Sequence, residues 1–346
     1  MPTADAIFAK LKTDVFFSKF DLCKGFWQIP LREEDKPKTA LVTPDGIYQF
    51  EKMPFGLVNA TATFNRMMRK ALCHIPNALS FVDDILIHTE SWEEHLAALK
   101  STLDVMRSVN LTIKPSKCRI GCRKLDFVGH KIGDGTIEPQ PDKIDKILTA
   151  PAQKTKKEVR AFLGLAGYYR TFVPNFSIVT APLSDLTRKG PPRVVKWGAK
   201  VQEAFDKLKS LVSQEPILKM PDFARTFYLQ TDASADGAGA VLLQEYEDHK
   251  HPIAFFSKKF SDRERAYSTV ERKCLALIWG IQKFHLYMYG LEFVIETDHK
   301  PLTFIGEAKI TNSRVMRWSL FLKNYHVNAL KGSSNVIADY LSRICG

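Results

Sequence analysis

Two apolar runs interrupted by a pair of aspartates constrain this chain more than any other feature. Ala78-Leu79-Ser80-Phe81-Val82 halts at Asp83-Asp84, and Ile85-Leu86-Ile87 resumes at once. Short apolar runs separated by two turn-forming residues read as a β-hairpin with a tight acidic turn. Adjacent carboxylates repel each other, which costs stability unless a cation offsets it. An isolated Asp-Asp pair is nevertheless ordinary turn chemistry, so its surroundings must decide what it does. Residues 14–22, rich in aromatic and β-branched side chains, read as a buried strand that delivers a further carboxylate, Asp21.

Other segments fill in an α+β pattern. Residues 56–74 carry apolar positions at Leu57, Ala60, Phe64, Met67, Met68 and Ala71, the spacing of a helix buried on one face. A second helix is expected over 92–109, opened by Ser91 and Glu94 as a capping box. Residues 125–132 read as another hairpin, and the prolines at 139 and 141 close that region. Two short helices are expected around 155–166 and 199–213. From Phe227 the order becomes strand, strand, strand, long helix, strand, which describes a mixed α/β domain.

Charge adds a partner class. The net charge is +12, and residues 101–200 hold 19 Lys/Arg against 8 Asp/Glu. These cations are interleaved with Tyr168, Tyr169, Phe172 and Trp197, a combination suited to a phosphate backbone. A hydrophobic content of 45% excludes a disordered chain. Apolar runs such as 274–281 are too short to span a bilayer, so no membrane partner is expected. The six scattered cysteines point to reduced thiols and an intracellular, cytoplasmic setting. Cys118 and Cys122 lack a second ligand pair at finger spacing, so zinc is not expected.

Nucleotidyl transfer requires two divalent cations about 4 Å apart, held by hard carboxylate oxygens. Asp21 and the Asp83-Asp84 pair are placed to converge on such a site. The flanking residues narrow this further. Phe20-Asp21-Leu22-Cys23-Lys24-Gly25-Phe26-Trp27-Gln28-Ile29 resembles the first palm motif of gypsy-type reverse transcriptases from retrotransposon Pol polyproteins. Met53-Pro54-Phe55-Gly56-Leu57-Val58-Asn59-Ala60 resembles the next motif, and Phe81-Val82-Asp83-Asp84 the catalytic hairpin. Leu125-Asp126-Phe127-Val128-Gly129-His130 is similar to the strand that grips the primer, and the likeness continues through Tyr168-Tyr169-Arg170 to the C-terminus.

The resemblance implies an RNA-directed DNA polymerase using Mg²⁺, with Mn²⁺ as a substitute. Asp21 and Asp83 would ligate both ions, Asp84 would assist, and the Leu22 carbonyl would add an oxygen. Phe26 occupies the position of an aromatic that collides with a ribose 2′-hydroxyl, although core packing is the alternative for any Phe. Phe55 and Gly56 would line the nucleotide pocket. Lys117 is either a proton donor to pyrophosphate or a solvated lysine. Thr61 departs from the proline of the family, which should soften a helix start. Only twenty residues precede Asp21, where the family carries a fingers subdomain with basic residues for the triphosphate. Without those cations much of the electrostatic stabilisation such catalysis uses would be lost, which weighs against autonomous polymerisation.

A second carboxylate set resembles the family's ribonuclease H domain. Thr231-Asp232-Ala233-Ser234 and Thr297-Asp298-His299-Lys300 end strands, and Asn335-Val336-Ile337-Ala338-Asp339 opens a helix. The resemblance makes Asp232, Asp298 and Asp339 catalytic metal ligands. It also calls for a Glu directly before the run Cys274-Leu275-Ala276-Leu277, where this chain has Lys273. Glu271 lies about 200° around the helix from that position. It reads instead as one half of a capping box with Ser268. Lys273 among the aspartates is expected to form salt bridges, compete with Mg²⁺ and impair ribonuclease H activity.

The expected organisation is a palm over 1–132, a basic thumb or connection over 133–222 and a ribonuclease H-like domain over 223–346. The implied partners are RNA template, DNA primer, RNA–DNA hybrid, dNTPs and other Pol and Gag products. The alternative is a defective or repurposed fragment that only binds hybrid.

Overall fold

The computed structural model describes residues 3–297 except 12, 189, 191–193, 215, 216 and 248, together with Trp318 and the backbone of 327–329. The chain divides into two compact units, Met1–Gly135 and Thr136–Gly346.

In the first unit, helix α1 (Ala4–Phe8) precedes strand β1 (Phe16–Asp21). A small hairpin, β2 (Leu41–Thr43) and β3 (Gly46–Tyr48), leads to helix α2 (Ala60–Leu72). Strands β4 (Ala78–Phe81) and β5 (Asp84–Thr89), helix α3 (Trp92–Ser108) and strands β6 (Arg119–Cys122), β7 (Lys124–Phe127) and β8 (His130–Gly133) complete it. The main sheet runs β4-β5-β1-β6.

Register assigns its two faces. Phe20 pairs with Ile85 and Ser18 with Ile87, and this face carries the core with Phe64, Met68, Leu99 and Met106 from α2 and α3. Directly paired residues of an antiparallel ladder share a face, and the next pair faces the opposite way. Asp21 pairs with Asp84 and Lys19 with Leu86, so both carboxylates and Lys19 sit on the side away from the two helices.

Three local expectations change. Helix α2 begins at Ala60 rather than 56, because Gly56 adopts φ +93° in the preceding turn. The hairpin turn is Val82-Asp83, with Asp84 already in the strand opposite Phe81. Helix α3 shows only one half of the expected capping box: the Ser91 hydroxyl accepts from the Glu94 amide at 3.3 Å, without a return bond from the Glu94 side chain.

The second unit opens with strand β9 (Thr136–Pro139) and helices α4 (Pro141–Leu148), α5 (Lys156–Tyr168), α6 (Phe176–Val179), α7 (Ala181–Asp185) and α8 (Ala199–Ser213). The two expected helices are α5 and α8. Helix α4 is an addition: Pro141, read from the sequence as a breaker, is its first helical residue, where a missing N–H costs nothing.

Strands β10 (Leu218–Lys219), β11 (Phe227–Ala233), β12 (Gly237–Tyr246) and β13 (His249–Lys259) follow. Helices α9 (Asp262–Arg265) and α10 (Thr269–Met288), then strands β14 (Phe293–Thr297) and β15 (Val327–Ala329), complete the described elements. Strand order is β13-β12-β11-β14-β15, with β11, β14 and β15 parallel and the β11–β12–β13 meander antiparallel. The edge strand β13 is covered from within the unit. Phe255 N–H donates to the Thr171 carbonyl (2.9 Å), Ser177 N–H to Ser257 Oγ (2.8 Å), and Lys259 pairs with Asp185 (2.9 Å). No helix among the described residues is long and apolar enough to cross a membrane.

Candidate active sites

The first site forms where β1 ends beside the β4–β5 turn. Val82 takes φ +51°, a left-handed conformation disfavoured for a β-branched residue, and this bend carries Asp83 out of the ladder. An isolated antiparallel bridge joins Leu22 to Ile113, flanked by Cys23 N–H to Thr112 O (2.9 Å) and Lys114 N–H to Asp21 O (2.8 Å). In such a pair the central residue's own N–H and C=O point the other way. The Leu22 N–H accordingly donates to the Asp83 carbonyl at 2.9 Å, and its carbonyl is presented on that same side. Gln28 clamps the arrangement, accepting from Thr112 N–H (2.6 Å) and donating to the carbonyls of Cys23 (2.6 Å) and Thr112 (3.0 Å).

The three carboxylates have different surroundings. Asp84 Oδ2 lies 3.0 Å from Lys19 Nζ, and Asp21 Oδ2 lies 3.3 Å from Lys117 Nζ. Asp83 Oδ1 is buried and has no hydrogen-bond partner among the described residues. Burial, then the charges of Asp21 and Asp84, hold the Asp83 carboxyl above the usual carboxylate range, with Lys117 opposing. This donor set fits a divalent cation in its chemistry, since a buried carboxylate beside two others is relieved either by taking up a proton, the direction of its raised pKa, or by a cation. Lysines hold the other two carboxylates, and no three His, Cys, Asp or Glu side chains among the described residues are drawn together as metal ligands.

Of the predicted nucleotide-site residues, Leu22 bonds directly to Asp83, Phe26 and Phe55 pack against each other, and Gly56 lies in the turn before α2. Phe26 is 9% exposed, its ring edge-on to Phe64 (5.3 Å) and Phe55 (5.5 Å). Phe55 is 62% exposed, and Lys24 Nζ sits 5.1 Å from the exposed Trp27 ring. Sequence reasoning missed Lys19 and Gly25. Lys19 carries no local signal, because its partner Asp84 is brought beside it only by strand pairing. Gly25 could have been found: it is the single glycine of the Asp21 motif, and a Cβ there would lie 2.4 Å from Asp83 Oδ1.

The second site is in the other unit. Asp232 is buried in β11, and Lys273 of α10 places Nζ 3.3 Å from its Oδ1. Glu271 completes the expected capping box: its Oε2 accepts from Ser268 N–H (2.9 Å) and Oγ–H (3.0 Å), and its own N–H donates to Ser268 Oγ (3.3 Å). Burial pushes the neighbouring Cys274 thiol up to about 12, so it stays protonated. Asp298 and Asp339 lie outside the described residues.

Two family descriptions match the chain, one within each unit. Residues 2–132 match the family described as reverse transcriptase (RNA-dependent DNA polymerase). Residues 222–325 match the RNase H-like domain found in reverse transcriptase. The chain is 38% identical over 99% of its length to the retrovirus-related Pol polyprotein from transposon 297 of Drosophila melanogaster, covering 32% of that protein. The corresponding figures are 33%, 99% and 36% for the opus Pol polyprotein of the same organism. They are 33%, 99% and 26% for the transposon Tf2-3 polyprotein of Schizosaccharomyces pombe. The chain thus spans about a third of the curated relatives it matches. Among solved structures, a foamy viral protease-reverse transcriptase in complex with RNA/DNA hybrid has TM-score 0.80 at 22% identity, covering 94% of this chain and 45% of that one. A second form in complex with double-stranded DNA has TM-score 0.82 at 22% identity, covering 95% and 59%. At this identity these two establish a shared fold.

Proposed function

Because the chain belongs to the Pol polyproteins of LTR retrotransposons, as their reverse transcriptase and RNase H-like region, we propose that its first unit performs Mg²⁺-dependent, RNA-templated DNA synthesis. The observation that carries this reading is the buried, unpartnered Asp83 oxygen beside Asp21 and Asp84.

Asp21 and Asp83 would hold Mg²⁺, or Mn²⁺ in its place, with Asp84 assisting once Lys19 yields and the Leu22 carbonyl adding an oxygen. When bound, such ions acidify the primer hydroxyl and neutralise triphosphate charge. The protein's own contribution is position. The Val82 bend presents Asp83, the Leu22 amide fixes its backbone, and Gln28 secures Thr112, just ahead of the turn that carries Lys114 and Lys117. Phe26, packed on Phe64 and Phe55, would stand against the ribose, with Phe55 and Gly56 lining the nucleotide pocket. Lys117 would lend its ammonium to the same charge balance.

The partners on this reading are an RNA template, a DNA primer, their hybrid and dNTPs, together with other Pol and Gag products, in the cytoplasm. The three-part division into palm (1–132), thumb or connection (133–222) and ribonuclease H-like domain (223–346) belongs to the same reading. In the last part Asp232, Asp298 and Asp339 stand at the family's metal-ligand positions, with Lys273 in place of its fourth carboxylate.

The test is Mg²⁺-dependent primer extension on an RNA template, with Asp83→Asn as control. Extension that vanishes in the variant is expected. Equal extension by both proteins would remove Asp83 from the reaction and overturn the reading.

A further inference from the structure

The second unit retains the aspartate expected of a hydrolase, yet a lysine occupies the place where a fourth carboxylate is called for. We infer that the Lys273 ammonium replaces a divalent cation at Asp232, so that this unit keeps the fold that receives an RNA–DNA hybrid but does not bind metal or cut RNA there. The inference rests on the family reading above for the class of ligand, and on this chain's own geometry for the loss of chemistry.

Four observations support it. First, Lys273 Nζ and Asp232 Oδ1 are 3.3 Å apart, with side-chain exposures of 15% and 5%. A pair this sheltered is weakly screened, and breaking it strands a buried charge. Second, the ammonium cannot readily withdraw. Helix α10 is seated directly on the sheet at Gly280, where a Cβ would meet Ala240 Cβ and Thr231 Cγ2 at 3.2 Å. The first turn is further fixed by both halves of the Ser268–Glu271 capping box.

Third, Glu271 cannot serve as the missing ligand. Its Oε2 is committed to the Ser268 N–H and hydroxyl, and it projects about 200° around the helix from position 273. Fourth, Mg²⁺ selects clusters of hard oxygens and gives up its water reluctantly. At Asp232 it would meet a carboxylate already neutralised by a fixed cation, together with the repulsion of that cation. The described carboxylate of Asp232, already paired with a sheltered ammonium, therefore does not fit the ion.

The experiment counts Mn²⁺ bound per full chain by the EPR signal of the free ion, alongside cleavage of the RNA strand in an RNA–DNA hybrid. Asp232→Asn is expected to leave the Mn²⁺ count unchanged, because Asp232 already has its cation. Lys273→Glu is expected to add at least one bound Mn²⁺ and to raise RNA cleavage at least tenfold. Should Lys273→Glu fold poorly, Lys273→Gln serves instead: its thermal midpoint should rise with Mn²⁺ more than that of the unaltered chain. A lower Mn²⁺ count in Asp232→Asn, or RNA cleavage by the unaltered chain equal to that of Lys273→Glu, would overturn the inference. So would the absence of any metal gain in both position-273 variants. Primer extension measured on the same proteins reports the first unit separately, so failure there is distinguishable from failure here.

Discussion

A Cβ placed on Gly25 would lie 2.4 Å from Asp83 Oδ1 and 2.9 Å from the Phe64 ring, so the absence of a side chain at 25 is what gives the turn carboxylate its space. The requirement is volume rather than backbone freedom, because Gly25 does not adopt a positive φ. Gly25→Ala should displace the Asp83 carboxylate and lower primer extension at least tenfold while leaving hybrid binding intact. Gly56→Ala makes the contrast. There φ is +93° and nothing lies within 4 Å of a Cβ, so the cost is about 1–2 kcal/mol of backbone strain. Extension rates and urea midpoints for the two variants check this, and a Gly25→Ala enzyme as active as the parent would contradict it.

The β7–β8 hairpin supplies a pH dependence. Burial pushes the His130 imidazole down to about 4, although its Nδ1–H donates to the Val128 carbonyl at 2.7 Å. Below its ordinary pKa of 6.5 the unfolded chain binds a proton that folded His130 refuses. Stability is therefore complete above that value and falls as pH drops towards about 4, by about 3 kcal/mol for a group this buried. Burial also lowers His95, which contributes in the same direction. His130→Gln keeps a donor for Val128 and removes the titration. Its urea midpoint should change less between neutral pH and pH 4.5 than that of the parent, and equal slopes would sink the argument.

Lys19 and Asp84 lie diagonally across the β1–β5 ladder, their charged atoms 3.0 Å apart and both partly exposed. A partly exposed pair is worth up to about 1 kcal/mol, which is the work a metal must do to claim Asp84. Lys19→Met should therefore lower the Mg²⁺ concentration for half-maximal extension by up to about five-fold. A rise in that concentration would instead make Lys19 part of the active arrangement.

How much of this could be read from the sequence differs from residue to residue. The Phe16–Asp21 strand, the acidic hairpin and the Ser268–Glu271 cap are visible because each is encoded within a few neighbouring residues. Helix α4 was hidden because Pro141 signals a break as well as a first helical position, and only context separates the two. The short helices α6 and α7 span too few residues for a hydrophobic period to show. The contacts that hold Asp21 and Asp84, from Lys117 and Lys19, arise from pairings made across the sheet. The Lys273 substitution was legible as a break in a motif, but its 3.3 Å contact with Asp232 required the helix to be seated on the sheet.

Phe26 allows packing and substrate selection to be separated. Its ring is 9% exposed and edge-on to Phe64, as a core residue would be, and it also touches Phe55, which is 62% exposed. Phe26→Val removes ring volume from the core, at a cost of about 2 kcal/mol in the urea-derived stability. That loss follows from burial alone and says nothing about the ribose. If the ring also stands where a 2′-hydroxyl would collide, the same variant should raise the ratio of ribonucleotide to deoxynucleotide kcat/KM at least tenfold. Because that ratio compares two substrates on one folded protein, general destabilisation cancels from it. A ratio unchanged from the parent, with stability reduced as expected, would leave Phe26 a packing residue and move sugar selection to another wall of the pocket.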